Sequence, residues 1–156
     1  MEIFIKNSPW YLELYSLLKM FLALIAGGTI GWERENVGKE AGIRTFGFIC
    51  VGACAYSVLS LLFSPDSASR IVANVVVGIG FLAGGVIFRS NGVDKSSHGL
   101  TTASSLWVTA TIGVMIGFEM YILAVGLTIL TLLTLHLPSS KIWIYLSKKH
   151  LKLTLL

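Results

Sequence analysis

Five long apolar runs, with nearly every charge held in the gaps between them, constrain this chain more than any other feature. The runs cover about residues 12–32, 46–63, 71–88, 100–118 and 120–137. A helix crossing about 30 Å of hydrocarbon needs roughly 20 predominantly apolar residues at about 1.5 Å each, and every run is near that length. In lipid only helices and closed barrels satisfy their own backbone polar groups. The runs are continuous rather than alternating, which disfavours a barrel. The expected fold is therefore all-α: a polytopic membrane bundle of five transmembrane helices over residues 1–138, with a basic tail at 139–156.

Composition agrees with that solvent. Apolar residues make up 54% of the 156 and charged residues 13%, whereas a soluble domain carries about 25% charged. Mean hydropathy is +0.79. These values exclude a disordered chain, a collagen-like repeat and a basic nucleic-acid arm. A soluble domain of this size could not bury so much apolar surface. The expected partner is a lipid bilayer, and no nucleic acid. The stretch before the first run carries only Lys6 among basic residues and reads as a retained anchor rather than a cleavable signal.

Basic residues set the expected orientation. With five crossings, alternate segments carry nine Lys or Arg on one side (Arg34, Lys39, Arg44, Arg89, Lys95, Lys141, Lys148, Lys149, Lys152) and two on the other (Lys6, Arg70). The richer side is expected to be cytoplasmic, placing the N-terminus outside and the C-terminus inside. Ser64-Pro65-Asp66-Ser67, Asn91-Gly92 and Gly117-Phe118-Glu119 carry the turn signals. The tail reads either as a basic interfacial helix or, at residues 151–155, as the start of a strand.

Some polar residues break the pattern. Lys19 lies inside the first run, where it either snorkels to the outer surface or meets an internal partner, Asp66 or Glu119. Glu33, Arg34 and Arg44 abut the membrane edge and can turn inward, whereas Lys39 and Glu40 read as solvated. Glu35–Lys39 and Glu40–Arg44 sit at i,i+4, where a helix would pair them. Thr101, Thr102, Ser104 and Ser105 open the fourth run. Thr101, Ser105 and Thr109 share one helical face, facing either their own i−4 carbonyls or a polar seam. His98 and Gly99 precede that face, at a helix end suited to an anion. Asn74, one turn after Arg70, is a further buried polar candidate.

Gly27 and Gly31, Gly80 and Gly84, and Gly113 and Gly117 form G-x-x-x-G pairs. Such pairs let helix backbones approach closely, and three of them point to a tight bundle that self-associates as a homo-oligomer. Gly78-Ile79-Gly80 with Gly84 has the wrong spacing and setting for a dinucleotide loop. Cys50 and Cys54 lack further ligands for zinc and read as packing residues. His98, His136 and His150 are scattered, so no metal and no cofactor is expected. No Ser, Thr or Cys has a base and an orienting partner, so no catalytic residue is assigned and the chain is expected not to be an enzyme.

Three stretches carry a resemblance. Gly31-Trp32-Glu33-Arg34-Glu35 with Ala41-Gly42-Ile43-Arg44-Thr45 is the first. Ser69-Arg70-Ile71-Val72-Ala73-Asn74 running to Val77-Gly78-Ile79-Gly80-Phe81-Leu82 is the second. Gly99-Leu100-Thr101-Thr102-Ala103-Ser104-Ser105-Leu106-Trp107 is the third. Together they resemble the signatures of the MgtC/SapB family of small bacterial inner-membrane proteins. The resemblance implies a five-helix membrane domain with its N-terminus outside and a basic residue at Lys19. It also implies a link to growth in low magnesium and, in some pathogens, to virulence. The chain departs from the family pattern at Phe46 (commonly His), Asn74 (commonly Gln), His98 (usually Arg) and Ala83-Gly84 (usually reversed). Several members carry a soluble ACT-like domain after the membrane part; about 18 residues follow Pro138 here, too few for one.

The function expected from this resemblance is non-enzymatic regulation of magnesium homeostasis or membrane energetics through other membrane complexes. The site would comprise Glu33, Arg34, Arg44, Thr45, Thr101 and Thr102 inside, with Lys19, Arg70 and Asn74 toward the outside and His98 before the fourth helix. The alternative is an oligomeric transporter or channel for magnesium or another small solute, lined by Thr101, Ser105 and Thr109.

Overall fold

A computed structural model describes residues 9–63, 66, 68–90 and 98–137. These form five α-helices: α1 Pro9–Asn36, α2 Ile43–Phe63, α3 Ala68–Ser90, α4 His98–Gly117 and α5 Tyr121–His136. The basic tail, the Asn91-Gly92 turn and the side chain of His98 lie outside the described residues. Most helices run a turn past the apolar edges read from the sequence. Hydropathy registers only the hydrocarbon-facing part, whereas i→i−4 bonding continues into the polar boundary. Trp10 and Trp32, both exposed, stand 22 residues or about 33 Å apart on α1, close to the thickness of a bilayer core.

α1, α2, α3 and α4 each hold a stretch long and apolar enough to span a membrane. α5 is apolar but has 16 residues, about 24 Å of helix. The fifth run, expected to cross, thus forms a helix shorter than an ordinary span. The run at 120–137 exceeds α5 by one residue at each end, Met120 in the α4–α5 turn and Leu137 after the helix.

α2 and α4 form the centre, α1 packs along α2, and α3 lies outermost against α4 and α2. Glycine sets the spacing. A Cβ placed on Gly27 would fall 2.7 Å from Cys50 Cβ on α2, and one on Gly31 would fall 2.7 Å from Ile43 Cα. On α4, a Cβ at Gly117 would fall 2.5 Å from Ser57 Cβ, and one at Gly113 would run into the Cys50 carbonyl. Cys50 is therefore clasped between two glycine helices, which is why a small side chain sits there. Gly80 and Gly84 differ: a Cβ at either meets nothing within 4 Å, so the close approach expected at this pair is not made within the chain. The cause is the peripheral position of α3, whose face bearing Val77 (73% exposed) and Phe81 (84%) no other helix covers.

The buried core comprises Ala23, Ile30, Phe46, Cys50, Cys54, Leu106, Ile112 and Ile116. Large apolar side chains also cover the outside, among them Leu14, Phe21, Phe48, Phe81, Ile122 and Leu130. Water would not tolerate that much contiguous apolar surface, whereas lipid requires it.

Two helix ends close alike. After α1, Lys39 N–H donates to Arg34 C=O at 3.0 Å and Gly38 N–H to Glu35 C=O at 2.9 Å, with Gly38 at φ 72°. After α4, Met120 N–H donates to Met115 C=O at 2.8 Å and Glu119 N–H to Ile116 C=O at 3.0 Å, with Glu119 at φ 65°. Both are Schellman closures, which need a left-handed residue. Gly38 meets that need without steric cost; Glu119 incurs about 1–2 kcal/mol for its Cβ.

Gly113→Ala is expected to lower the thermal midpoint of the detergent-solubilised protein by many degrees, because the carbonyl it strikes belongs to the α2 backbone. Gly80→Ala and Gly84→Ala are expected to leave the monomer's midpoint unchanged or raise it slightly, through helix propensity.

Candidate functional site

The polar residues gather at the two ends of the bundle. At the end where α1 finishes and α2 and α4 begin, Glu33 and Arg34 are buried, at 9% and 4% exposure. Arg34 Nη2 donates to Glu33 Oε1 at 2.7 Å, and Arg34 Nε donates to Glu33 Oε2. Neighbours on a helix do not ordinarily face each other, so this two-pronged pair requires both side chains to fold to one spot. Its position in the last turn of α1 also suits the arginine, whose charge faces the negative end of the helix dipole.

Arg44 and Thr45 lie at the same end but remain exposed. With Glu35, Lys39 and Glu40 they line an open polar cleft of about 330 Å³. Gly38 ends α1, and residues 37–42 are not helical, so Glu35–Lys39 and Glu40–Arg44 do not share a helix face. The Glu35 carboxylate instead accepts the Ile43 N–H at 3.1 Å and caps the start of α2. The structure thus divides the expected inner cluster into a buried pair, Glu33–Arg34, and an exposed cup around Arg44.

Thr102 is buried and Thr101 exposed at the start of α4. Ser105 and Thr109, expected to share a face with Thr101, are buried among the helices. Ser105 Oγ donates to Thr102 C=O and Thr109 Oγ1 to Ser105 C=O, each at 2.8 Å. The hydroxyls therefore satisfy themselves along their own helix, as the packing alternative anticipated. Buried inside one chain, Ser105 and Thr109 are not available to line a pore between chains.

At the other end, Lys19 is 5% exposed. Its Nζ lies 2.8 Å from Glu119 Oε1, 3.5 Å from Gly117 C=O and 4.7 Å from the centre of the Tyr15 ring. The snorkelling alternative does not hold, and of the two candidate partners Glu119 is the one engaged. The Tyr15 and Tyr121 hydroxyls are 3.0 Å apart, which ties α1 to α5 beside the ion pair. Sequence reading missed both tyrosines, although Tyr15 stands at i−4 from Lys19, the spacing that lays a ring under an ammonium. Arg70 and Asn74 are exposed on α3; Asn74, expected to be buried, instead lines an apolar cleft of about 670 Å³ with Phe48, Gly52, Tyr56, Gly78 and Leu82, because α3 is the least covered of the long helices. Among the described residues, no three His, Cys, Asp or Glu side chains converge as a metal site would need.

A helical bundle clad in apolar side chains, with ion pairs at its two ends, defines a small polytopic membrane protein. The MgtC family's model matches residues 20–140, and the chain belongs to that family. It is 38% identical over 149 residues to the protein named "Putative magnesium transporter YhiD" of Escherichia coli (strain K12), covering 89% of this chain and 68% of that one. To Protein MgtC of Salmonella typhimurium (strain LT2) it is 40% identical over 116 residues, 74% of this chain and 49% of the relative. An uncharacterized Synechocystis protein, slr0014, is 42% identical over 103 residues, 65% of this chain and 43% of that one. No solved structure gives a significant match.

The ion pairs predict an asymmetry. Glu119→Gln leaves the buried Lys19 ammonium without its counter-charge and is expected to destabilise by about 3 kcal/mol or more, whereas Lys19→Met leaves Glu119 at a half-exposed position and costs less. Thermal midpoints of the two purified variants, read against wild type, check the order.

Proposed function

We propose that this chain is a non-enzymatic regulator in the bacterial inner membrane, acting on magnesium homeostasis or membrane energetics by docking against other membrane complexes. Its N-terminus lies outside and its C-terminus inside, following the excess of basic residues on the inner loops. Docking uses the inner polar surface: exposed Arg44, Thr45 and Thr101, backed by the Glu33–Arg34 pair, with His98 at the same end and a homo-oligomer as the assembled form.

The observation that supports this reading is the interior between the two ion pairs. Lys19 and Glu33 are 14 residues apart on α1, about 21 Å. Between those levels the buried side chains include Ala23, Ile30, Phe46, Cys50, Leu106 and Ile112, and the buried hydroxyls of Ser57, Ser105 and Thr109 are bonded within their own helices. Among the described residues, a hydrated magnesium ion finds no continuous polar path through one chain. A second reading, an oligomeric transporter or channel, is favoured by the name of the relative YhiD; its pathway would have to run between copies.

Two measurements on purified protein separate the readings. In sealed vesicles the regulator gives no saturable magnesium flux; such flux would overturn it in favour of transport. In affinity capture from mild detergent, Arg44→Ala is expected to lose a partner complex that wild type retains, with its own level and midpoint unchanged because Arg44 is exposed. Equal recovery of every partner with both proteins would remove this surface from the proposal.

A further inference from the structure

The cleft of about 670 Å³ between α2 and α3 is lined in three layers. Tyr56 stands seven residues before the end of α2 and Asn74 six after the start of α3, so both lie about 10 Å in from that end of the bundle. Gly52 and Gly78 follow about 6 Å deeper, and Phe48 and Leu82 about 6 Å deeper again. The first layer is polar, the second has no side chains and the third is apolar.

The glycine layer makes the room. A Cβ added at Gly52 or Gly78 would meet nothing within 4 Å, so these glycines, unlike Gly27 and Gly113, do not bring two backbones together. Ile49, Ala53 and Ile79 are buried and form the floor, whereas Phe48, Tyr56 and Leu82 are exposed at the rim, which leaves the slot open along its side. An apolar slot open to lipid fills with hydrocarbon, because an empty one forfeits the dispersion contacts of its walls.

The first layer asks for more than hydrocarbon. Neither the Asn74 amide nor the Tyr56 hydroxyl is hydrogen-bonded to a described residue, and the bilayer interior has no water to supply the missing partner. Side chains on α3 lean toward its N-terminus, which carries the Asn74 amide toward the mouth of the cleft. Arg70 lies one turn nearer that mouth on the same side of the helix, about 6 Å from the level of Asn74, and Asp66 is four residues earlier still. Both are exposed, and neither has an ion-pair partner among the described residues. From the end of the bundle inward the order is two opposite charges, then an amide with a hydroxyl, then an apolar slot. A zwitterionic phospholipid has the same order in its headgroup, its ester carbonyls and its acyl chains.

We propose that the α2–α3 cleft is a phospholipid site. One acyl chain lies along Gly52 and Gly78, and the Asn74 amide donates to an ester carbonyl. The phosphodiester of a phosphatidylethanolamine headgroup meets Arg70, and its ammonium meets Asp66.

Native mass spectrometry of the full chain tests this. The protein is stripped of lipid in detergent, offered equimolar phosphatidylethanolamine and phosphatidylglycerol, and released from the micelle. Wild type is expected to carry one phosphatidylethanolamine per chain, in severalfold excess over phosphatidylglycerol. Gly78→Leu fills the slot with a side chain whose Cβ strikes no neighbour, and Asn74→Leu removes the amide. Each is expected to lower the occupancy severalfold while its far-UV circular dichroism matches wild type. Undiminished occupancy in either folded variant, or an excess of phosphatidylglycerol on wild type, would overturn the proposal. So would a lipid-free wild-type dimer that Gly78→Leu converts to a monomer, since a second copy would then fill the cleft.

Discussion

The contact between helix backbones at Cys50 is the constraint on which the rest of this structure depends. In lipid there is no hydrophobic gain from bringing apolar helices together, so association rests on packing density and on the few polar contacts available. Gly27 of α1 and Gly113 of α4 approach α2 from two sides at that one residue, and Gly31 and Gly117 continue the contacts toward the two ends. With α1, α2 and α4 held this close, their axial offsets are fixed. Those offsets decide which polar groups can meet: Lys19 comes level with the α4–α5 turn, and Glu35 comes level with the first N–H of α2.

The two ends then do different work. One end holds a buried, self-contained pair in Glu33–Arg34 beside an exposed cup around Arg44. The other holds an inter-helix pair that joins the first and last thirds of the chain, with a tyrosine contact alongside. A glutamate in a left-handed turn, where glycine would be easier, indicates that its carboxylate is worth more to the fold than the backbone strain it brings. The third helix stands apart from this arrangement. It has the highest hydropathy of the four long helices and the least burial, and a Cβ added at any of its glycines would meet nothing within 4 Å.

Membership of the MgtC family rests on a match across most of the bundle, and the chain spans about two thirds of YhiD and half of MgtC. The matched part is the part whose packing is described above.

Much of this was legible in the sequence. Apolar runs of near-spanning length dictated helices, because a backbone in lipid has almost no other way to satisfy its N–H and C=O groups. The Gly27–Gly31 and Gly113–Gly117 pairs marked close packing, and the interruption at Lys19 marked a charge that had either to snorkel to the surface or to find a partner inside. What the sequence left open was which alternative each such signal would take. Gly80 and Gly84 carry the same motif as the other pairs yet face outward, because a motif records that a close approach is possible and not what stands opposite. Glu119 rather than Asp66 meets Lys19, Arg34 turns inward while Arg44 does not, and α5 falls short of a full span. Each of these depends on the relative heights of helices distant in the chain, and side-chain volumes at their crossings set those heights, not any local pattern.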